Sequence, residues 1–327
     1  MEDKSTILKG VEVRKYLPLM TLLLVSLLSL FIGVHNITID GILHGDSQQL
    51  MMLNKVRLPR TISLILAGGM VSISGKVMQH MMQNKFVSAG TIGMMDSARL
   101  GILVAMLFFP ASTILLKSTF AFIFAFISSL TFLALSRLLP KGDEMILPLA
   151  GIMYGNIIGS VAIFFAYQFQ IIQNLSSWLQ GNFSTIMKGQ YELIYLTVPV
   201  FIALYLMAYK ITVLGLGDEV AASLGMNYKL IQLIVLVLVS LGSSSVLIMV
   251  GSIPFLGIII PNLVSILYGD HLKNTLNLIW IFGSIFLVVC DILSRTLIAP
   301  YEIPVSVIVG SLGGAMFIFF LLRRMRK

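Results

Sequence analysis

Leu230–Val250 reads LIQLIVLVLVSLGSSSVLIMV, with no charged residue in it. A helix that crosses the hydrocarbon of a bilayer needs about 20 consecutive apolar residues, because no water is present there to serve an open backbone group. This stretch meets that length, with Gln232 and a few serines as its polar breaks. It lacks the polar face that a helix on the surface of a soluble domain would carry. Its reading sets the fold class as α-helical and membrane-integral.

Nine more apolar stretches share the pattern: Tyr16–His35, Thr61–Met82, Gly93–Phe109, Ser112–Leu135, Met145–Tyr167, Tyr191–Ile211, Phe255–Tyr268, Leu276–Leu297 and Ile303–Leu322. Phe255–Tyr268 is short for a full crossing and begins beside Pro254, so a tilted span or an attached interfacial helix is expected there. The expectation is one transmembrane domain over residues 1–327, all-α, with about ten transmembrane helices. Composition agrees. Hydrophobic residues make up 57% of the chain and charged residues 11%, with a mean hydropathy of +0.97. A soluble protein carries about 25% charged residues.

Charge orients the bundle. With the N-terminus inside, only Lys55, Arg57, Arg60, Lys117, Lys188 and Arg295 of the 22 basic residues fall outside. That asymmetry follows the positive-inside rule and puts both termini in the cytoplasm. The formal charge of +8 is spread over span ends and gathers into no patch for nucleic acid. Membrane lipids are the partners it implies. Tyr16–His35 precedes no small-residue cleavage site and reads as a retained span. Lys55, Arg57 and Arg60 crowd into what reads as an outer loop, where the rule prefers neutral residues.

Gly151, Gly155 and Gly159 recur every fourth residue and share one helix face. Such a face admits a neighbouring helix closely. With Asn156 it is also the candidate lining of a translocation pathway, alongside the eighth and tenth spans. Gly68, Gly69 and Gly75, and Gly310, Gly313 and Gly314, read as further close-packing sites.

Some chemistry is missing. The nearest string to a phosphate-binding loop, Gly69 to Gly75-Lys76, has five intervening residues in place of four, and Val77 stands where Ser or Thr is needed. ATP hydrolysis, if used, belongs to a separate chain. Carboxylates avoid span centres: Asp143, Glu144, Glu192 and Asp96 sit at span ends. Asp291 is the exception, and Arg295 follows at i,i+4 as its natural ion-pair partner. His35, His44, His80 and His271 lack metal-ligand spacing, and the single Cys290 rules out an internal disulfide and reads as a buried thiol. Met78, Met81, Met82, Met94 and Met95 read as packing filler. No catalytic or metal-ligating residue emerges.

The chain carries an ordered set of strings: Arg57-Leu-Pro-Arg60-Thr61, Ser74-Gly75 and Gln79, Gly217 to Gly225, Gly251-Ser-Ile-Pro-Phe-Leu-Gly257 with Pro261-Asn262, then Asp291, Arg295, Glu302-Ile-Pro304 and Gly310. Together they resemble the iron-siderophore and cobalamin permease family of bacterial ABC importers, over nearly the whole chain. The resemblance implies the type II permease fold with ten spans per subunit. It implies docking of an extracytoplasmic substrate-binding protein on Arg57, Arg60 and Arg295. It makes Gly217, Asp218, Glu219, Val220, Ala221, Ala222, Leu224 and Gly225 the coupling helix for the ATPase, with Val220, Ala221 and Leu224 toward the partner. It also implies a second permease subunit, as a homodimer or heterodimer, and no cofactor on this chain, since the partner ATPase uses ATP and magnesium. Many relatives have His where Asn262 stands, and Asn-Pro-Leu-Ala where Asn84-Lys85-Phe86-Val87 stands. The run from Ser88 to Gly101 is similar to the branch handling catecholate-type ferric siderophores. Cobalamin or haem import by the same fold is the alternative. An ion-coupled secondary transporter would need a pair of intramembrane carboxylates, and Asp291 alone is available.

Overall fold

The computed structural model describes residues 4–33, 38–111, 113–139 and 145–325. His35, Ser112, Lys141, Asp143, Glu144, Arg326 and Lys327 lie outside the described residues. In chain order the helices are α1 (Lys4–Phe31), α2 (Ile39–Leu43), α3 (Ser47–Met52), α4 (Leu58–Met81), α5 (Met94–Phe108), α6 (Ile114–Ser136), α7 (Ile146–Gln168), α8 (Ile172–Leu179), α9 (Thr197–Leu206), α10 (Ala208–Leu214), α11 (Asp218–Ser223), α12 (Tyr228–Val250), α13 (Leu256–Tyr268), α14 (Leu272–Thr296) and α15 (Val305–Met325). No strand occurs among the described residues.

A helix lies at each of the ten expected spans. Among the described residues, five helices are long and apolar enough to cross a membrane, or six if the pair spanning Glu192–Leu214, bent by 65° at Met207, counts as one span. The stretches Tyr16–Phe31, Leu256–Tyr268 and Val305–Phe319 are apolar but shorter. Length and composition therefore support a multi-pass membrane protein without establishing ten full crossings.

The core sits on α4. The most apolar window of the helix containing it is 89% buried inside the chain, against 28% for α6 and for α7. α4 carries Arg60, Ser63, Ser72, Ser74, Lys76 and Gln79, all buried, and polar groups at membrane depth need protein partners that lipid cannot supply; small residues let those neighbours approach. A Cβ on Gly68 would lie 2.5 Å from the Gly283 carbonyl oxygen of α14, and one on Gly75 only 1.8 Å from that of Gly257 in α13. Pro261 has no N–H for the Gly257 carbonyl one turn back, and that oxygen packs on the Gly75 backbone instead.

The charged outer loop expected around Lys55 and Arg57 is helical. A π-helical turn, Leu53–Arg57, joins α3 to α4 into one continuous rod. Pro59 explains the turn: its ring clashes with the Lys55 carbonyl and offers it no donor. The Lys188 N–H serves that carbonyl from outside, at 3.0 Å.

Candidate functional site

Two charged clusters clamp α4, one near each end. At the first, Arg60 Nε and Nη2 donate to Asp291 Oδ1 at 3.0 and 2.8 Å, and Nη1 donates to Glu302 Oε2 at 2.9 Å. Arg295 Nη2 lies 2.6 Å from Asp291 Oδ2 and donates to Ser29 Oγ at 2.7 Å. Its Nη1 donates to the Ile32 carbonyl at 2.6 Å, which also receives Arg57 Nη1 at 2.7 Å. The i,i+4 pairing of Asp291 with Arg295 is present as the sequence suggested. All three arginines are buried, and Asp291 is sealed from solvent. Arg60 of α4 and Arg295 of α14 thus converge on one carboxylate, while Ser29 of α1 and Ile32 just after it hold Arg295 from the other side. Glu302, a quarter exposed, closes the network from above. The sequence pointed outward for these arginines; the structure turns them inward, because Asp291 and Glu302 supply the counter-charges that a buried guanidinium requires.

At the opposite end, Lys76 Nζ donates to Asp270 Oδ1 at 2.9 Å and to Ser265 Oγ at 2.7 Å. Lys85 Nζ donates to Asp270 Oδ2 at 3.1 Å. Burial alone would raise the Asp270 carboxyl, but hydrogen bonds from Ser265, Lys76 and Lys85 outweigh it and hold it well below the usual carboxylate range. Beside this cluster, Asn262 Nδ2 donates to the Ile258 carbonyl at 2.8 Å and to the Lys85 carbonyl at 2.9 Å. Asn262 and the Lys85-Phe86-Val87 segment, the two departures from the family pattern, therefore meet each other.

The stretch from Gly217 to Gly225 forms a short helix, α11, with a left-handed glycine at its end. Gly225 has φ of 70°. Its N–H donates to the Ala222 carbonyl at 3.0 Å, and the next N–H, of Met226, reaches back to Ala221 at 2.9 Å. This pair of bonds is a Schellman stop, which favours glycine. Ala221 is buried against its own chain, so it does not face outward as expected. Val220 and Leu224, four residues apart at the end of this helix, are 38% and 50% exposed, and Leu216, just before the Gly217 turn, is 60% exposed. Asp218, Glu219 and Ala222 are exposed beside them.

The glycines of α7 are filled from the other side. A Cβ on Gly151 would lie 2.1 Å from the Thr91 carbonyl oxygen, and one on Gly155 would lie 2.8 Å from Asp96 Oδ2 and 3.0 Å from Gly93 Cα. Gly159 faces the same carboxylate. Their face is where α5 and its preceding turn dock, so it lines no open passage here. Asn156 is exposed on the other side of α7. Among the described residues, no group of three or more His, Cys, Asp or Glu is placed to hold a metal ion.

The arrangement is that of a type II ABC importer permease. One chain of an ABC transporter assigned to the metal-chelate type, solved in an inward-facing conformation, superposes with a TM-score of 0.80 over 94% of this chain and 98% of its own, at 21% identity. The PsaBC structure from Streptococcus pneumoniae matches with a TM-score of 0.59, covering 86% of this chain and 93% of its own, at 15% identity. The chain belongs to the FecCD transport family, whose profile matches residues 21–323. It is 44% identical to the petrobactin import system permease YclN of Bacillus subtilis, covering 93% of this chain and 96% of that one. It is 38% identical to the ferric-anguibactin transport system permease FatD of Vibrio anguillarum, covering 90% and 94%.

Proposed function

We propose that this chain is the permease subunit of an ATP-binding-cassette importer that carries a ferric siderophore, of catecholate type, across the cytoplasmic membrane. The observation that carries the reading is the match over nine-tenths of the chain to permeases named for petrobactin import and ferric-anguibactin transport. The chain itself performs no covalent chemistry. A separate ATPase uses ATP and magnesium, and a second permease subunit, identical or similar, completes the pathway.

In this reading both termini and the Lys76–Asp270 end are cytoplasmic. Val220 on α11 and Leu224 at its C-terminus, with Leu216 just ahead of the helix, present apolar surface beside acidic residues at the helix start, a shape suited to a groove on the ATPase. The Gly217 to Gly225 segment is then the coupling helix, with Ala221 as its anchor in the permease. The binding protein docks at the opposite end. There Arg57, Arg60 and Arg295 outnumber Asp291 and Glu302, and Lys55 adds to the positive excess. Buried guanidiniums act through their field and by holding the surface in shape, which steers an acidic partner and fixes its register. Asp291 is held by two arginines, which disfavours its use as a proton or sodium relay.

Uptake of labelled ferric catecholate chelate into vesicles reconstituted with the permease, its ATPase and its binding protein tests the reading. Accumulation that requires all three supports it. Equal accumulation from the permease alone contradicts it.

A further inference from the structure

Asp96 and Arg99 stand where a membrane protein least tolerates charge. Gly155 and Gly159 are central in the 23-residue helix α7, which spans roughly 34 Å. The Asp96 carboxylate lies against both of them, with Oδ2 at 2.8 Å from a Cβ on the first and Oδ1 at 3.3 Å from one on the second. Asp96 does sit in the first turn of α5, the span end its sequence suggests, but that turn begins beside the middle of α7, so the expectation that this carboxylate avoids mid-span depth does not hold. Arg99, at i+3, approaches Asp96 Oδ1 at 3.7 Å, too far for a hydrogen bond. Its Nε is buried without a partner. A guanidinium has five N–H donors. Both side chains remain 26% exposed, and both border a cavity of about 210 Å³ that Ser88 and Thr91 also line.

An ionised pair cannot remain partly exposed at this depth toward hydrocarbon without a cost of several kcal/mol for Arg alone, and intramembrane charge normally faces a bundle interior or water. With the charged pair itself, Ser88 and Thr91 give water the polar partners it needs. We propose that Asp96 and Arg99 face the aqueous passage, and that Arg99 is a mid-membrane contact for anionic oxygens of the transported chelate. Asp96 positions the guanidinium without consuming its donors. The cargo half of this statement rests on the importer reading; the aqueous-facing half does not. The cavity admits the edge of a chelate, so Arg99 touches the cargo's periphery as it passes.

The chain's single cysteine, Cys290, is buried, so Cys290→Ala gives a background without thiols. In the assembled transporter in vesicles, Arg99→Cys is expected to react with a charged, membrane-impermeant methanethiosulfonate roughly tenfold faster, or more, than Ile127→Cys on the exposed face of α6, because such a reagent enters water and not hydrocarbon. Asp96→Cys gives the same reading if Arg99→Cys fails to assemble. Reaction of both with a membrane-permeant maleimide but not with the charged reagent would overturn the proposal. For the contact itself, Arg99→Gln is expected to lower ferric-chelate uptake by roughly tenfold, the scale of one charge-assisted hydrogen bond, with Arg99→Lys restoring part of it. Wild-type uptake in Arg99→Gln would overturn the contact role. Aqueous labelling with no chelate import by the wild type would overturn the importer reading, and the contact with it, while upholding the passage.

Discussion

Arg60 and Asp291 are 231 positions apart in the chain and share two hydrogen bonds, at 3.0 and 2.8 Å, inside the protein. The same carboxylate meets Arg295 at 2.6 Å. One buried anion therefore holds two guanidiniums and fastens α4 to α14. Removing one partner from a buried pair strands the other charge, which typically costs about 3–5 kcal/mol.

Asp291→Asn is accordingly expected to destabilise the protein by about 3–5 kcal/mol, seen as a lowered Tm in detergent. Glu302→Gln is expected to cost less, because Glu302 remains a quarter exposed and water can replace it. Equal Tm losses for the two variants would contradict the central place given to Asp291.

The Asp270 cluster has a defined pH signature. Its folded carboxyl titrates below the unfolded value of about 3.9, so its stabilisation is fully present above that value and is lost as pH falls toward the folded one. The Tm difference between wild type and Asp270→Asn is expected to be constant from pH 8 to about pH 5 and to shrink below about pH 4. Shrinkage at higher pH would place the titration elsewhere.

On α11, exposure separates coupling from folding. Val220→Glu or Leu224→Glu is expected to leave Tm nearly unchanged while abolishing stimulation of the ATPase by the permease. Gly225→Val is expected to lower stability by about 1–2 kcal/mol, since a side chain in the left-handed region clashes with its own backbone. Co-purification of the ATPase with Leu224→Glu at wild-type yield would contradict the docking role.

Gly75→Ala places a methyl group 1.8 Å from the Gly257 carbonyl oxygen. The backbones of α4 and α13 must part, at a cost of about 1–3 kcal/mol for overpacking. Gly310→Ala meets only Pro254 Cγ at 3.5 Å and is expected to be tolerated. Thermal melts of the two variants check this.

Much of the fold was legible because hydropathy is a local property: Leu230–Val250 or Ile303–Leu322 announces a helix whatever lies elsewhere. The glycine stripe of α7 was legible as a packing face for the same reason. The rod through Lys55 and Arg57 was misread as a loop because its charges resembled a solvated turn. A local signal existed. Asp46 Oδ1 caps α3 by accepting from the Gln48 and Gln49 N–H groups, and Gln49 Nε2 donates back to Asp46 Oδ2. An Asp followed three residues later by Gln is a helix start. The inward turn of Arg60 and the Lys76–Asp270 pair depend on residues far apart in sequence, and no spacing rule reaches that far. The inward turn of Ala221 was missed because an alanine in so short a helix fits either face.

In the importer reading, ATP hydrolysed by a partner chain drives transport. In vesicles holding permease, binding protein and ATPase with ATP at the ATPase face, ferric-chelate uptake is measured before and after an ionophore collapses the proton and sodium gradients. Undiminished uptake with the gradients gone, and none without ATP, is the expected result. Uptake that stops with the ionophore while ATP remains, or continues once ATP is withdrawn, would contradict it.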